Sequence, residues 1–170
     1  MTTECVLMPT NSEIETFFCS LFGTDIMVKE TKNSDSSEQY VVAEYSEPDG
    51  QLRYLIAIDY ALANGLGAAL TVIPPAVAKE SADKQIIPDN IRENLQEVLN
   101  VCTSMFSVGM NGRHIAISGL HEKSSTPEHI TEALKEAEES DSFHVDLPRY
   151  QAGTLTVYRM HHEDEEVAGE

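Results

Sequence analysis

The sequence predicts an α+β domain, a largely antiparallel sheet with long helices packed on one face, and three observations predict it. "YVVAEYS" and "QLRYLIAID" are rich in strand formers and are joined by "EPDG", where Pro48 presets its own dihedral and Gly50 tolerates positive φ, so the pair reads as a hairpin. "NIRENLQEVLNVCTSMF" repeats its apolar residues at helical spacing. The order along the chain is helix, three strands, two helices, strand, helix and strands, with no clear repeat or internal linker.

"NSEIETFFCSLFG" is the first helix: Ser12 with Glu15 makes a capping box, Ile14, Phe17, Phe18, Leu21 and Phe22 repeat at helical spacing, and Gly23 suits the stop. "DIMVKET" is a strand candidate and "KNSDSSEQ" a polar loop. After the hairpin, Asp59 can cap the helix "YALANGLGAAL", which ends near Pro74-Pro75; "AVAKESADK" adds a short helical piece. The central helix follows, capped by Asn90 with Glu93 three residues on. "RHIAISGL" is a strand. "TPEHITEALKEAEES" is an exposed helix with Thr126 as cap and Pro127 at its first position. "FHVDLPR" is a weaker strand and "GTLTVYRM" a better one.

A chain of 170 residues with 41% hydrophobic residues can bury a real core, and one domain over residues 1–160 is expected. Residues 161–170, "HHEDEEVAGE", carry five acids and almost nothing apolar, which predicts a disordered acidic tail. No apolar run approaches the roughly 18 residues that span a bilayer, and the N-terminus has no basic region or long apolar run of a signal peptide. The formal net charge of −18 argues against nucleic acid and anionic membranes as partners. Cys5, Cys19 and Cys102 are odd in number and far apart, which fits the reducing cytoplasm.

Most chemical signals are better read as structure. "GLGAAL" has Leu70 where a dinucleotide fingerprint needs a small residue, so its glycines predict tight helix packing. His114, His121 and His129 share only their residue type. His161 and His162 lack the orienting partners of a built metal site. The central helix remains. Ile91, Leu95, Val98, Leu99, Cys102, Met105 and Phe106 form one apolar arc, and Glu93, Glu97, Asn100 and Ser104 form a narrow stripe opposite it. By periodicity alone this stripe is the wet face of an amphipathic helix.

"LQEVLN", with Glu97 and Asn100, resembles the ExxN motif of the CheC/CheX/FliY chemotaxis phosphatases. The layout is similar too: a hairpin leads into a helix, then the motif helix, then a strand. The similarity of layout spans residues 10 to 160. There are departures. Glu93 stands where the family usually has Asp or Ser, Ser104 and Met105 where many members have Gly-Asn, and Pro127 falls later than the family's downstream proline. The first helix has "EIET" in place of ExxN, so the resemblance implies one active site, as in the CheX-like branch.

The resemblance implies a protein partner, a phosphorylated CheY-type response regulator that supplies its own Mg²⁺, with no cofactor resident in this chain. Asn100 is then the water-orienting residue and Glu97 the one that pairs with a regulator lysine. Glu93 and Ser104 touch the partner at the edges. The exposed sheet edges and CheX-like relatives lead us to expect a homodimer. Two alternatives stay open: a non-catalytic binding module of the same fold in chemotaxis or flagellar-switch signalling, and an unrelated α+β domain.

Overall fold

The computed structural model describes residues 8–32, 40–106 and 114–161. Cys5, His162 and the acidic residues that follow it lie outside the described residues, as does most of the loop "KNSDSSEQ". Among the described residues the elements run α1 (Asn11–Phe22), β1 (Met27–Thr31), β2 (Tyr40–Ser46), β3 (Leu52–Asp59), α2 (Tyr60–Leu70), α3 (Pro75–Asp83), α4 (Asp89–Val101), a 3-10 turn (Cys102–Phe106), β4 (Ala116–Glu122), a short 3-10 turn (Lys123–Ser125), α5 (Glu128–Glu136), β5 (Glu139–Asp146) and β6 (Gly153–Arg159). The six strands form one sheet in the order β1-β5-β6-β3-β2-β4, and every neighbouring pair is antiparallel.

Strand alternation sorts the side chains into two layers. Val41, Ala43 and Tyr45 of β2, Tyr54, Ile56 and Ile58 of β3, and Leu155 and Val157 of β6 point to the face covered by α1 to α4. The expectation of helices on one face holds for these four. α5 packs on the opposite face, where Val42, Leu55 and Ala57 meet Ile130, with Ala133 and Leu134 beside it. The sequence predicts an exposed helix here; α5 instead buries Ile130, because the second face of the hairpin strands is also apolar and needs cover.

Three helix starts differ from the sequence reading. The box that caps α1 is Thr10 with Glu13, the earlier of two overlapping boxes; Ser12 lies inside the helix, and Glu15 accepts a bond from Val28 N at 3.0 Å, tying α1 to β1. α4 begins at Asp89 after an extended Pro88, so Asn90 sits in the first turn rather than at the cap. α5 begins at Glu128 with Pro127 at the cap position, and the Thr126 hydroxyl donates instead to Glu122 O at 2.9 Å. The tail of that predicted helix, from Glu139, is strand: Glu139 to Val145 pair with β6, and part of this run also pairs with β1. Tertiary pairing overrides a weak local helix preference there. Asp59 caps α2 as expected, accepting from Leu62 N at 2.9 Å, and its second oxygen takes Thr154 N at 2.9 Å.

No helix among the described residues is long and apolar enough to cross a membrane.

Candidate functional site

The site is a face of α4, and four contacts fix that helix. Ile91, Leu95, Val98 and Leu99 are buried, each side chain contributing about 1.5–3 kcal/mol by leaving water. Gly67 of α2 lets α4 approach so closely that a Cβ built there would lie 2.5 Å from Ile91 O. The glycines of "GLGAAL" are therefore packing residues, as the sequence suggested. Asn94 bridges back to α2, donating to Gly67 O at 2.9 Å and Thr71 Oγ1 at 2.7 Å. Arg92 reaches the other way, donating to Glu122 Oε2 at 2.9 Å and Leu120 O at 3.0 Å of edge strand β4. Tyr60 OH donates to the second oxygen of Glu122 at 3.1 Å.

The end of α4 is anchored in the core. Phe106 stacks on Tyr54 with ring centroids 4.1 Å apart and packs against Tyr45. Tyr45 OH donates to Leu99 O at 2.6 Å, one residue before Asn100. Burial pushes the Tyr45 phenol and the Cys102 thiol well above their ordinary values, so both stay neutral. The three predicted core residues Cys102, Met105 and Phe106 continue the arc through the 3-10 turn, with Cys102 and Phe106 buried.

With the arc buried, the stripe faces solvent: Glu93, Glu97, Asn100 and Ser104 are all exposed. Among the described residues the side chains of Glu93, Glu97 and Asn100 make no hydrogen bond or ion pair. An open groove of about 390 Å³ runs between α4 and β4, lined by Glu93, Gln96, Glu97, Asn100 and Ile117. Ser104 does not line it. The sequence reading missed Gln96 and Ile117. Gln96 was accessible from spacing, since it stands three residues after Glu93 and four before Asn100. Ile117 was not, because only the β2–β4 pairing brings that strand beside α4.

Going around the helix at about 100 degrees per residue, Gln96 and Asn100 lie toward β4, while Glu97 and Val101 lie toward Asn94 and α2. The carboxylate and the carboxamide thus project from one surface a turn apart. Asn100 offers both a donor and an acceptor to a small polar molecule, and Glu97 offers a negative charge to a cation.

Among the described residues the other chemical groups do not form a second site of this kind. His114 and His129 are exposed. His121 is bonded to Glu44, and Ser118 Oγ lies 3.4 Å from the same carboxylate and 2.9 Å from Ser46 Oγ, so the histidine is not the serine's base. Among the described residues no group of three His, Cys, Asp or Glu side chains can hold a metal ion.

No protein-family model and no curated protein matches the chain. Solved structures do. FliM in the FliM–SpeE complex from H. pylori superposes with a TM-score of 0.64 at 8% identity, over 88% of this chain and 81% of that one. FliY of Thermotoga maritima gives 0.56 at 12% identity, over 91% and 86%. CheX in the CheX–CheY–BeF3–Mg²⁺ complex of Borrelia burgdorferi gives 0.53 at 14% identity, over 86% and 92%. The chain has the fold of the CheC/CheX/FliY proteins.

Proposed function

We propose that this chain is a CheX-like protein that docks on a phosphorylated CheY-type response regulator and hydrolyses its aspartyl phosphate. The observation that carries the proposal is the exposed Glu97/Asn100 pair, without a side-chain partner among the described residues, beside an open groove on a helix held from both sides. The CheX neighbour supports it, since its complex contains CheY with BeF3 and Mg²⁺, and BeF3 stands in for a phosphoryl group.

The chemistry suits an asparagine. The water oxygen bonds to phosphorus as the bond from phosphorus to the aspartyl oxygen breaks. The carboxylate leaves with that electron pair, and the water's proton passes to the phosphate. Positioning and charge neutralisation supply most of the gain in such transfers. Asn100 orients the water through its carboxamide, which needs no change of protonation. Glu97 pairs with a regulator lysine and fixes the docking, with Glu93 and Ser104 at the edge of the contact. Mg²⁺ arrives with the regulator. This chain's charge of −18 gives no long-range attraction to an acidic phosphorylation site, so association relies on contacts inside the Debye length of about 8 Å. The place of encounter is the cytoplasm. The edges β1 and β4 leave strands open to pairing, and we place this chain in a homodimer, which a monomeric mass by light scattering across a concentration series contradicts.

A second reading is a docking module without catalysis. It is favoured by the FliM neighbour, which forms a complex with SpeE, and by Glu93, Ser104 and Met105 at the departures from the motif. Dephosphorylation of regulators from the same organism separates the two. Faster loss of phosphate with wild type supports the phosphatase. Tight binding with no acceleration supports the module.

A further inference from the structure

α2 ends in an unusual way. Val72 N donates to Ala69 O at 3.4 Å and Ile73 N to Ala68 O at 2.8 Å, the paired bonds that close a helix whose next residue is left-handed. That left-handed residue is ordinarily glycine, as it is at the end of α1, where Gly23 has φ 66°. At the end of α2 it is Val72, with φ 58°. A β-branched side chain is poorly suited to this region. Val72 is also 70% exposed, so its side chain gains little from the core. Neither local conformation nor burial accounts for a valine at this point.

Its position is informative. Thr71, the preceding residue, holds Asn94 of α4. Asn94, Glu97 and Val101 follow at spacings of three and four, so they form the α2-facing flank of the stripe. Val101 is itself 37% exposed. The polar stripe is thus bordered by Ile117 on the β4 side and by exposed valines on the α2 side.

A specific protein complex buries about 800 Å² on each partner, far more than the five residues lining the groove can present. A domain seated over Glu97 and Asn100 must extend over a flank, and the α2 flank carries apolar side chains ready to lose water. We propose that the α2–α3 turn, with Val72 at its tip and Val101 on the adjoining helix face, is an apolar docking contact for the same regulator domain that brings its phosphoaspartate to Asn100. This rests on the function proposed above.

The test uses Val72→Gly, which removes the side chain and also relieves the backbone, and Val72→Asn, which tolerates the left-handed region. Val77→Ala, an exposed apolar residue of α3, is the control. Binding to the regulator loaded with BeF3 and Mg²⁺ is measured by calorimetry, alongside thermal melting and dephosphorylation. Expected is a loss of affinity of about tenfold for both Val72 variants, the scale of one uncovered valine, with Val77→Ala unchanged and Val72→Gly melting no lower than wild type. Wild-type binding with both Val72 variants equal to it overturns the docking contact alone. Wild type that neither binds nor dephosphorylates the organism's regulators overturns the functional reading and this contact with it.

Discussion

Gly67→Ala tests how α4 is held. In a helix interior alanine is favoured over glycine by about 1 kcal/mol, so propensity alone predicts a more stable protein. The contact with α4 opposes this. The new Cβ would lie 2.5 Å from Ile91 O and 2.7 Å from Ile91 Cγ2, a backbone atom and a branch of a stiff side chain. Neither can swing aside, so α2 and α4 must separate. Overpacking of this kind costs about 1–3 kcal/mol. The separation also strains the bond from Asn94 to Gly67 O, worth about 1 kcal/mol. The net expectation is a destabilisation of about 2 kcal/mol, or roughly 4–8 °C in melting temperature for a chain of this size. Gly65→Ala is the matched control: its Cβ meets Leu147 Cδ2 at 3.1 Å, the movable tip of a flexible side chain. It should melt within about 2 °C of wild type, or above it, since helix propensity then offsets the milder contact. Thermal melting of the three proteins decides the matter. Gly67→Ala melting at or above wild type would refute the argument that this glycine sets the distance between the helices.

The clamp on the other side of α4 gives a second prediction. Arg92 and Glu122 are 33% and 27% exposed, so Arg92→Met should cost only about 1 kcal/mol in urea unfolding, and less at 1 M salt. A variant as stable as wild type at low salt would remove the clamp from the account. A third concerns Cys102, whose thiol is raised by complete burial. The thiolate is the reactive form, so at pH 8 the native protein should leave Cys102 unlabelled by a thiol reagent while the urea-unfolded chain labels it. Peptide mapping reads both, and rapid labelling in the native state would contradict the packing described.

The parts of the fold that were legible in the sequence are those with strong local chemistry. The hairpin of β2 and β3 showed in its strand formers and in Pro48 and Gly50, and α4 in an apolar arc whose members are buried or half-buried. Asp59 announced the start of α2. What escaped was decided by partners distant in sequence. Glu139 and Ser140 looked helical until β6 claimed them, and Ile130 looked like one apolar residue on a wet helix until the second apolar face of the hairpin met it. The candidate stripe was legible for the same reason as the arc, because one implies the other at 3.6 residues per turn. The second wall of the groove, Ile117, was not, since nothing local to β4 says that it lies beside Asn100.

The central claim is that Asn100 orients the attacking water rather than merely facing solvent. The measurement is the rate at which a phosphorylated CheY-type regulator from the same organism loses phosphate under saturating wild type, Glu97→Ala or Asn100→Ala. Asn100 is exposed and carries no packing role, so its variant should fold and still bind. The account predicts marked acceleration by wild type, a loss of about a hundredfold or more in Asn100→Ala with binding retained, and a loss mainly of affinity in Glu97→Ala. An Asn100→Ala protein that dephosphorylates the regulator as fast as wild type would contradict it.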